Sequence, residues 1–265
     1  MPKSNNKPGL LTAIERQRQI YINGASGILP AIPTDFKQLE ELAFKKMSKK
    51  GFDYVKTGAG RESTVRSNRQ AFEQYGIAPR MLKDVSQINT EVNVLGSTLP
   101  SPILLSPVGV LDLAKKRGDE LTAQAAKTCQ IPMIISNQAS ASMEKTAAIL
   151  ADNEKWLQIY WSKEDRLVKS FITRAEKSGY NALVFTLDTT LLGWRQRDLN
   201  NAYLPFLEGR GIAQYVSDPV FNELLKSFQP EKSKSTIGFR TFYTLWQLAK
   251  NYPGSTFRNL FSPKP

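Results

Sequence analysis

Four short apolar runs each end in residues able to hydrogen-bond: Ser106-Pro107-Val108-Gly109, Ser136-Asn137-Gln138, Gln158-Ile159-Tyr160 and Thr186-Leu187-Asp188-Thr189. If these runs are strands, alternation puts Gln158 and Tyr160 on one side of the third, and Thr186 and Asp188 on one side of the fourth. Amides, hydroxyls, a phenol and a carboxylate gathered at neighbouring tips suit a polar ligand with hydrogen-bonding edges, because an unpaired buried polar group costs about 1–3 kcal/mol. The same residues equally suit helix capping and the satisfaction of loop amides, and spacing alone leaves both uses open. Pro107-Val108-Gly109 reads either as an ordinary turn or as backbone that a flat ring can approach. Past the fourth run, Arg195 in Gly193-Trp194-Arg195-Gln196-Arg197-Asp198 offers a fork for a carboxylate, while Arg197 and Asp198 can simply pair with each other. Tyr54 offers a phenol to the same anion or packs its ring.

The chemistry is bounded by what the 265 residues lack. They contain no histidine and one cysteine, Cys129. Ser-His-Asp and Cys-His catalysis, histidine-ligated zinc and an internal disulfide therefore cannot be built from them. A single thiol fits a reducing cytoplasm. The formal charge is +12, but it is spread in short runs such as Lys45-Lys46 and Lys49-Lys50, so no nucleic-acid partner is expected. No stretch approaches the ~20 apolar residues of a membrane span, the opening residues lack a signal-peptide pattern, and no membrane partner is expected.

The elements that must position these residues follow from periodicity. Residues 1–30 read as a polar arm with a short helix. Phe36, Leu39, Leu42, Ala43 and Met47 predict an amphipathic helix behind a Thr34 cap, with Gly51 as its stop. A second helix is expected from about Ser63 to Tyr75, then a short strand or hairpin near Val92-Val94-Leu95. Buried parallel strands are predicted at Ile103–Ser106, Pro132–Ser136, Trp156–Tyr160 and Ala182–Thr186. Helices fill the gaps: 118–129, a Ser142-capped helix to Leu150, and one over 162–178 opening with the capping box Ser162-Lys163-Glu164-Asp165. Four consecutive βα units result, compatible with a doubly wound sheet or with part of a (β/α)8 barrel. After Asp188 the alternation stops, leaving a long lid-like loop and tail over 196–265, with a helix at Val220–Phe228 and an aromatic-rich Phe239–Trp246.

The run Tyr54 to Gly60, followed by Asn68-Arg69-Gln70-Ala71-Phe72, Pro79-Arg80-Met81-Leu82, the four strand tips, and Gly193-Trp194-Arg195-Gln196-Arg197-Asp198-Leu199, resembles the FMN-dependent 2-hydroxy-acid oxidases. The Gly-Trp-Arg-x-Arg-Asp-Leu form, with Leu204-Pro205-Phe206-Leu207 and Tyr215-Val216-Ser217-Asp218-Pro219-Val220-Phe221 downstream, is most similar to the lactate oxidase and lactate 2-monooxygenase branch. The resemblance implies an α/β fold of the TIM (β/α)8-barrel family. Of this the chain holds an N-terminal helical and hairpin segment (31–100), the first four βα units (101–195) and the long fourth loop. It implies FMN at the strand C-termini, touched by the backbone of Pro107, Val108 and Gly109 and by Ser136, Gln158 and Thr186. Tyr54 and Arg195 would bind the carboxylate of a small 2-hydroxy acid and Tyr160 its hydroxyl. Asp188 would orient a histidine base.

In the family, that histidine, a second arginine, a lysine near the reduced flavin and the phosphate cradle come from the second half of the barrel. None is expected within residues 1–265, so the chain reads as a truncated or split fragment, inactive alone, whose partners are a separate C-terminal half or a second copy. The alternative is a non-catalytic half-barrel interaction module.

Overall fold

In a computed structural model, the structure describes residues 12–189, 191–227 and 239–251. Residues 1–11 of the expected arm, and 228–238 and 252–265 of the expected loop and tail, lie outside the described residues.

The centre of the molecule is a parallel sheet whose strands follow chain order: β3 (Met133–Ile135), β4 (Lys155–Tyr160) and β5 (Ala182–Thr186). Ile134 pairs with Trp156, and Gln158 with Val184, so the tips of adjacent strands are level. The first expected strand, Ile103–Ser106, is reduced to one parallel bridge, Leu105 to Met133. Pro102 and Pro107 flank it, and a residue without an N–H cannot extend a ladder. Leu105 still exchanges bonds with its neighbour, its N–H reaching Pro132 O at 2.9 Å and its carbonyl accepting Ile134 N at 3.0 Å. Among the described residues the strand order does not reverse.

Helices α5 (Gly118–Cys129), α6 (Met143–Leu150) and α7 (Asp165–Lys177) follow the bridge, β3 and β4 in turn. Their apolar stripes make one core, in which Ala123, Ala126, Leu150, Leu167, Phe171 and Ala175 close over Ile135, Leu157 and Ile159. Ser142 caps α6 as expected. The cap of α7 is Glu164, whose carboxylate accepts Arg166 N at 3.1 Å, while Ser162 Oγ accepts the Glu164 amide, so the expected Ser162 cap lies two residues ahead of the actual one.

Ahead of the sheet lie α1 (Ala13–Ala25), α2 (Phe36–Lys46), α3 (Lys49–Lys56), α4 (Ser63–Ala71) and the antiparallel hairpin β1 (Val92–Val94) to β2 (Ser97–Leu99). The cap of α2 is Asp35, not Thr34. Gly51 does not stop a helix; it lies buried inside α3, which Ser48 starts by accepting Gly51 N at 3.2 Å. After β5 come the short helices α8 (Gln196–Asn200) and α9 (Ala213–Val216), then α10 (Pro219–Ser227) and α11 (Phe239–Asn251). Among the described residues, no helix is long and apolar enough to cross a membrane.

Candidate functional site

Gln158, 2% exposed, ties three strand tips together. Its Oε1 accepts Asn137 N at 3.1 Å and Ser136 Oγ at 3.3 Å, and its Nε2 donates to Thr186 Oγ1 at 2.8 Å. Ser136 Oγ in turn accepts Gln138 N at 3.0 Å. Strand alternation aims Gln158 and Thr186 the same way, and level register brings them within reach. These polar tips satisfy loop amides and form one hydrogen-bonded row. The Pro107–Gly109 backbone closes on this row. A side-chain carbon at Gly109 would lie 3.3 Å from Gln138 Cβ, and Val110 N donates to Gln138 O at 2.9 Å. Val110 holds a left-handed φ of 56° to make that turn.

Tyr54 and Arg195 meet across 141 residues of chain. The guanidinium lies over the Tyr54 ring at 4.4 Å, one Nη2 donates to the Tyr54 carbonyl, and Nε pairs with Asp198 Oδ2 at 3.1 Å. The fork is thus oriented by its own neighbours. Arg197 and Asp198 do not pair with each other: Arg197 reaches Glu62 at 3.2 Å, and Asp198 belongs to Arg195. Glu62 also accepts Gly58 N, and Gly60 N donates to Trp194 O at 2.9 Å, stitching the two loops together. Burial raises the Tyr54 phenol against the opposing pull of Arg195, so it stays protonated and able to donate at neutral pH. Burial also raises Asp198, partly offset by Arg195.

Tyr160 is linked through its amide, which donates to Asn137 Oδ1 at 3.4 Å. Asp188 stands apart: it is exposed, and its hydrogen bond is to the adjacent Thr189 hydroxyl at 3.1 Å. The expected gathering thus comes as two groups, Ser136–Gln158–Thr186 beneath Pro107–Gly109, and Tyr54–Arg195, with Asp188 bonded to neither. A cavity of about 600 Å³ opens at the opposite end of the strands, between the hairpin and Pro132, Asn153 and Glu154. It shares no residue with either group.

Residues that sequence patterns did not single out hold the site from behind. Asp119, 3% exposed at the start of α5, accepts Ser140 N at 2.9 Å. Burial, reinforced by the charge of Asp112, lifts its carboxyl to about 6 from an ordinary 3.8. A raised acid favours the fold most below its unfolded value, and that advantage is lost as pH climbs through the folded value. The shift corresponds to about 3 kcal/mol. Thermal melts of wild type and Asp119→Asn, run in parallel from acid to mildly alkaline pH, should show the wild type losing ground to the variant between those two pKa values. Parallel curves would refute the assignment.

Residues 43–249 match the FMN-dependent dehydrogenase family. The chain is 39% identical over 189 residues to an L-lactate oxidase of Lysinibacillus sphaericus (strain C3-41), covering 71% of this chain and 49% of that protein. It is 33% identical over 248 residues to an FMN-dependent alpha-hydroxy acid dehydrogenase of Schizosaccharomyces pombe, covering 92% and 59%. A solved mandelate oxidase mutant with an FMN adduct superposes with a TM-score of 0.63 at 30% identity, covering 72% of this chain and 57% of that one. The chain spans about half the length of curated relatives such as these. The donor set suits FMN: hydroxyls and an amide lie in a row beneath the Pro107–Gly109 backbone. Matched over most of its length, and with FMN as the cofactor, this chain belongs to the FMN-dependent 2-hydroxy-acid oxidase family.

Proposed function

We propose that residues 101–195 are the first half of a (β/α)8 barrel and present the flavin-facing and carboxylate-facing parts of an oxidase for a small, lactate-like 2-hydroxy acid. The Ser136–Gln158–Thr186 row carries this reading, because three adjacent parallel strands converge there on one polar edge. The chemistry that bound FMN would supply is an acceptor for the electron pair of the substrate α-hydrogen. The chain's own residues bind and orient. Pro107, Val108 and Gly109 would hold the flavin through their backbone, and Ser136, Gln158 and Thr186 through their hydrogen-bonding side chains. Arg195 and the protonated Tyr54 hold the substrate carboxylate, and the Tyr160 hydroxyl meets the substrate hydroxyl. Asp188 orients the base that takes the hydroxyl proton. With no histidine among the 265 residues, a histidine in that role is not supplied by them. We place the reaction in the cytoplasm, with oxygen as acceptor; oxidase and 2-monooxygenase outcomes differ in how long the product is retained beneath residues 203–215.

Purification with and without a co-expressed homologous C-terminal half, followed by an absorbance scan of the flavin bands, tests this. Yellow colour and bleaching by L-lactate in the pair are expected; a colourless pair would refute the reading. A second reading, a half-barrel interaction module, is favoured by the exposed Leu187, Leu191 and Leu192 beside β5. It requires a colourless protein with a defined partner or homodimer.

A further inference from the structure

The loop joining β3 to α6 carries Ser136 and Gln138, and its conformation is fixed by three buried side-chain oxygens that each take one of its amides. Gln158 Oε1, from β4, accepts Asn137 N at 3.1 Å; Asp119 Oδ2, from α5, accepts Ser140 N at 2.9 Å; Gln214 Oε1, from α9, accepts Met143 N at 2.8 Å. The third is unlike the others, because it arrives from the long segment after β5, 71 residues along the chain. Gln214 is 1% exposed and uses both ends of its amide, Nε2 donating to Ala141 O at 3.1 Å. Its backbone neighbour reinforces it, Ala213 N donating to Ala139 O at 3.2 Å. Met143 N belongs to the first turn of α6, whose amides have no partner within the helix, so Gln214 fills a need that the helix cannot meet itself.

Gln214 is itself held. Arg174 on α7 donates through Nη1 to the Gln214 carbonyl at 2.8 Å and to Asp218 at 2.9 Å, and through Nη2 to Ser217 Oγ at 2.7 Å, while its Nε pairs with Glu144 on α6. A route of hydrogen bonds thus runs from α7 through α9 to the loop beneath Gly109.

We infer that Gln214 is a positioning residue for the flavin-facing loop, so that α9, within the post-β5 segment, acts as a fixed brace and not as a moving lid. The effect on FMN rests on the flavin reading above; the brace does not. Glutamine is required by polarity as well as size. In Gln214→Glu, the isostere keeps an acceptor for Met143 but turns a carboxylate oxygen on the Ala141 carbonyl, two acceptors face to face.

Hydrogen exchange of the purified chain, read by mass spectrometry on peptides spanning 136–143, tests the brace without flavin. FMN titration by fluorescence quenching tests its consequence. Gln214→Glu and Gln214→Met should each speed exchange in that loop by about tenfold or more and weaken FMN binding by about tenfold. The control is Leu150→Ala, a fully buried core truncation that lowers the melting temperature while leaving loop exchange and flavin affinity unchanged. Loop exchange that stays unchanged in Gln214→Glu, or that rises equally in Leu150→Ala, overturns the proposal. If the Gln214 variants do not fold, Arg174→Lys carries the test, since one ammonium cannot serve four partners: faster exchange at 139–143 supports the brace, and unchanged exchange refutes it. If the wild-type chain alone shows no FMN binding, the flavin reading is decided by the pair with the C-terminal half, and exchange alone decides the brace.

Discussion

Arg174→Met is expected to remove about 3–5 kcal/mol of stability, because breaking a buried ion pair from one side leaves the other charge stranded. Asp218 has no exposed side-chain surface and Arg174 13%. Methionine keeps most of the aliphatic stem, so lost packing explains little of the effect. What remains around Asp218 is the Ser170 hydroxyl at 2.7 Å and the Val220 and Phe221 amides at 2.9 and 3.2 Å. These cap α10 but carry no opposite charge. Urea unfolding of Arg174→Met, Asp218→Asn and the double variant measures the pair directly. The double variant should lose clearly less than the two singles together, since neutralising Asp218 relieves what the first substitution strands. Strict additivity, or a loss below about 1 kcal/mol for Arg174→Met, would place this bridge among ordinary surface pairs.

Much of this architecture is legible in the sequence because local pattern encodes it. Leu167, Val168, Phe171 and Ala175 recur at helical spacing and all face the core of α7, and the apolar runs before Tyr160 and Thr186 fix β4 and β5 almost to the residue. The Gln158–Thr186 contact was legible too: alternation sets the side, and consecutive parallel units set the neighbour. Competition between local signals explains the small displacements. Asp35 outcompetes Thr34 as a cap, and Ser48 begins a new helix where Gly51 suggested an end. Flanking prolines leave the first strand with a single bridge. Arg174, Gln214 and Asp119 escaped notice for another reason. Each works through a partner 21 to 71 residues distant, and no periodicity announces which buried amide a side chain will reach. Gly118-Asp119-Glu120 at a helix start was the nearest thing to a signal, because an acid there ordinarily serves its own helix. Here Asp119 turns instead to a neighbouring loop.

The brace also explains why a glycine must stand at 211, and substituting it should be the most damaging single-carbon change near the site. Gly211 has φ +70°, and an added Cβ would lie 2.6 Å from Val110 Cγ2, 2.9 Å from the Gln138 carbonyl oxygen and 3.1 Å from the Phe206 ring. The left-handed backbone alone costs an L-residue roughly 1–2 kcal/mol. The overlap adds about 1–3 kcal/mol more. The Gln138 carbonyl cannot move aside freely, because it accepts Val110 N at 2.9 Å and so anchors the Pro107–Gly109 turn. Gly27 separates the two costs: its φ is +74°, and nothing lies within 4 Å of the added carbon. Gly27→Ala should therefore show the backbone cost alone, with flavin affinity unchanged. Gly211→Ala should lose about 3–4 kcal/mol, roughly 6–16 °C in melting temperature, and weaken FMN binding with it, since relieving the overlap means shifting the Gln138 carbonyl and the turn above it. Equal losses for the two alanines would mean that Gly211 serves only its own turn. A larger loss at Gly211 with flavin affinity intact would mean that the Pro107–Gly109 backbone does not face the ring.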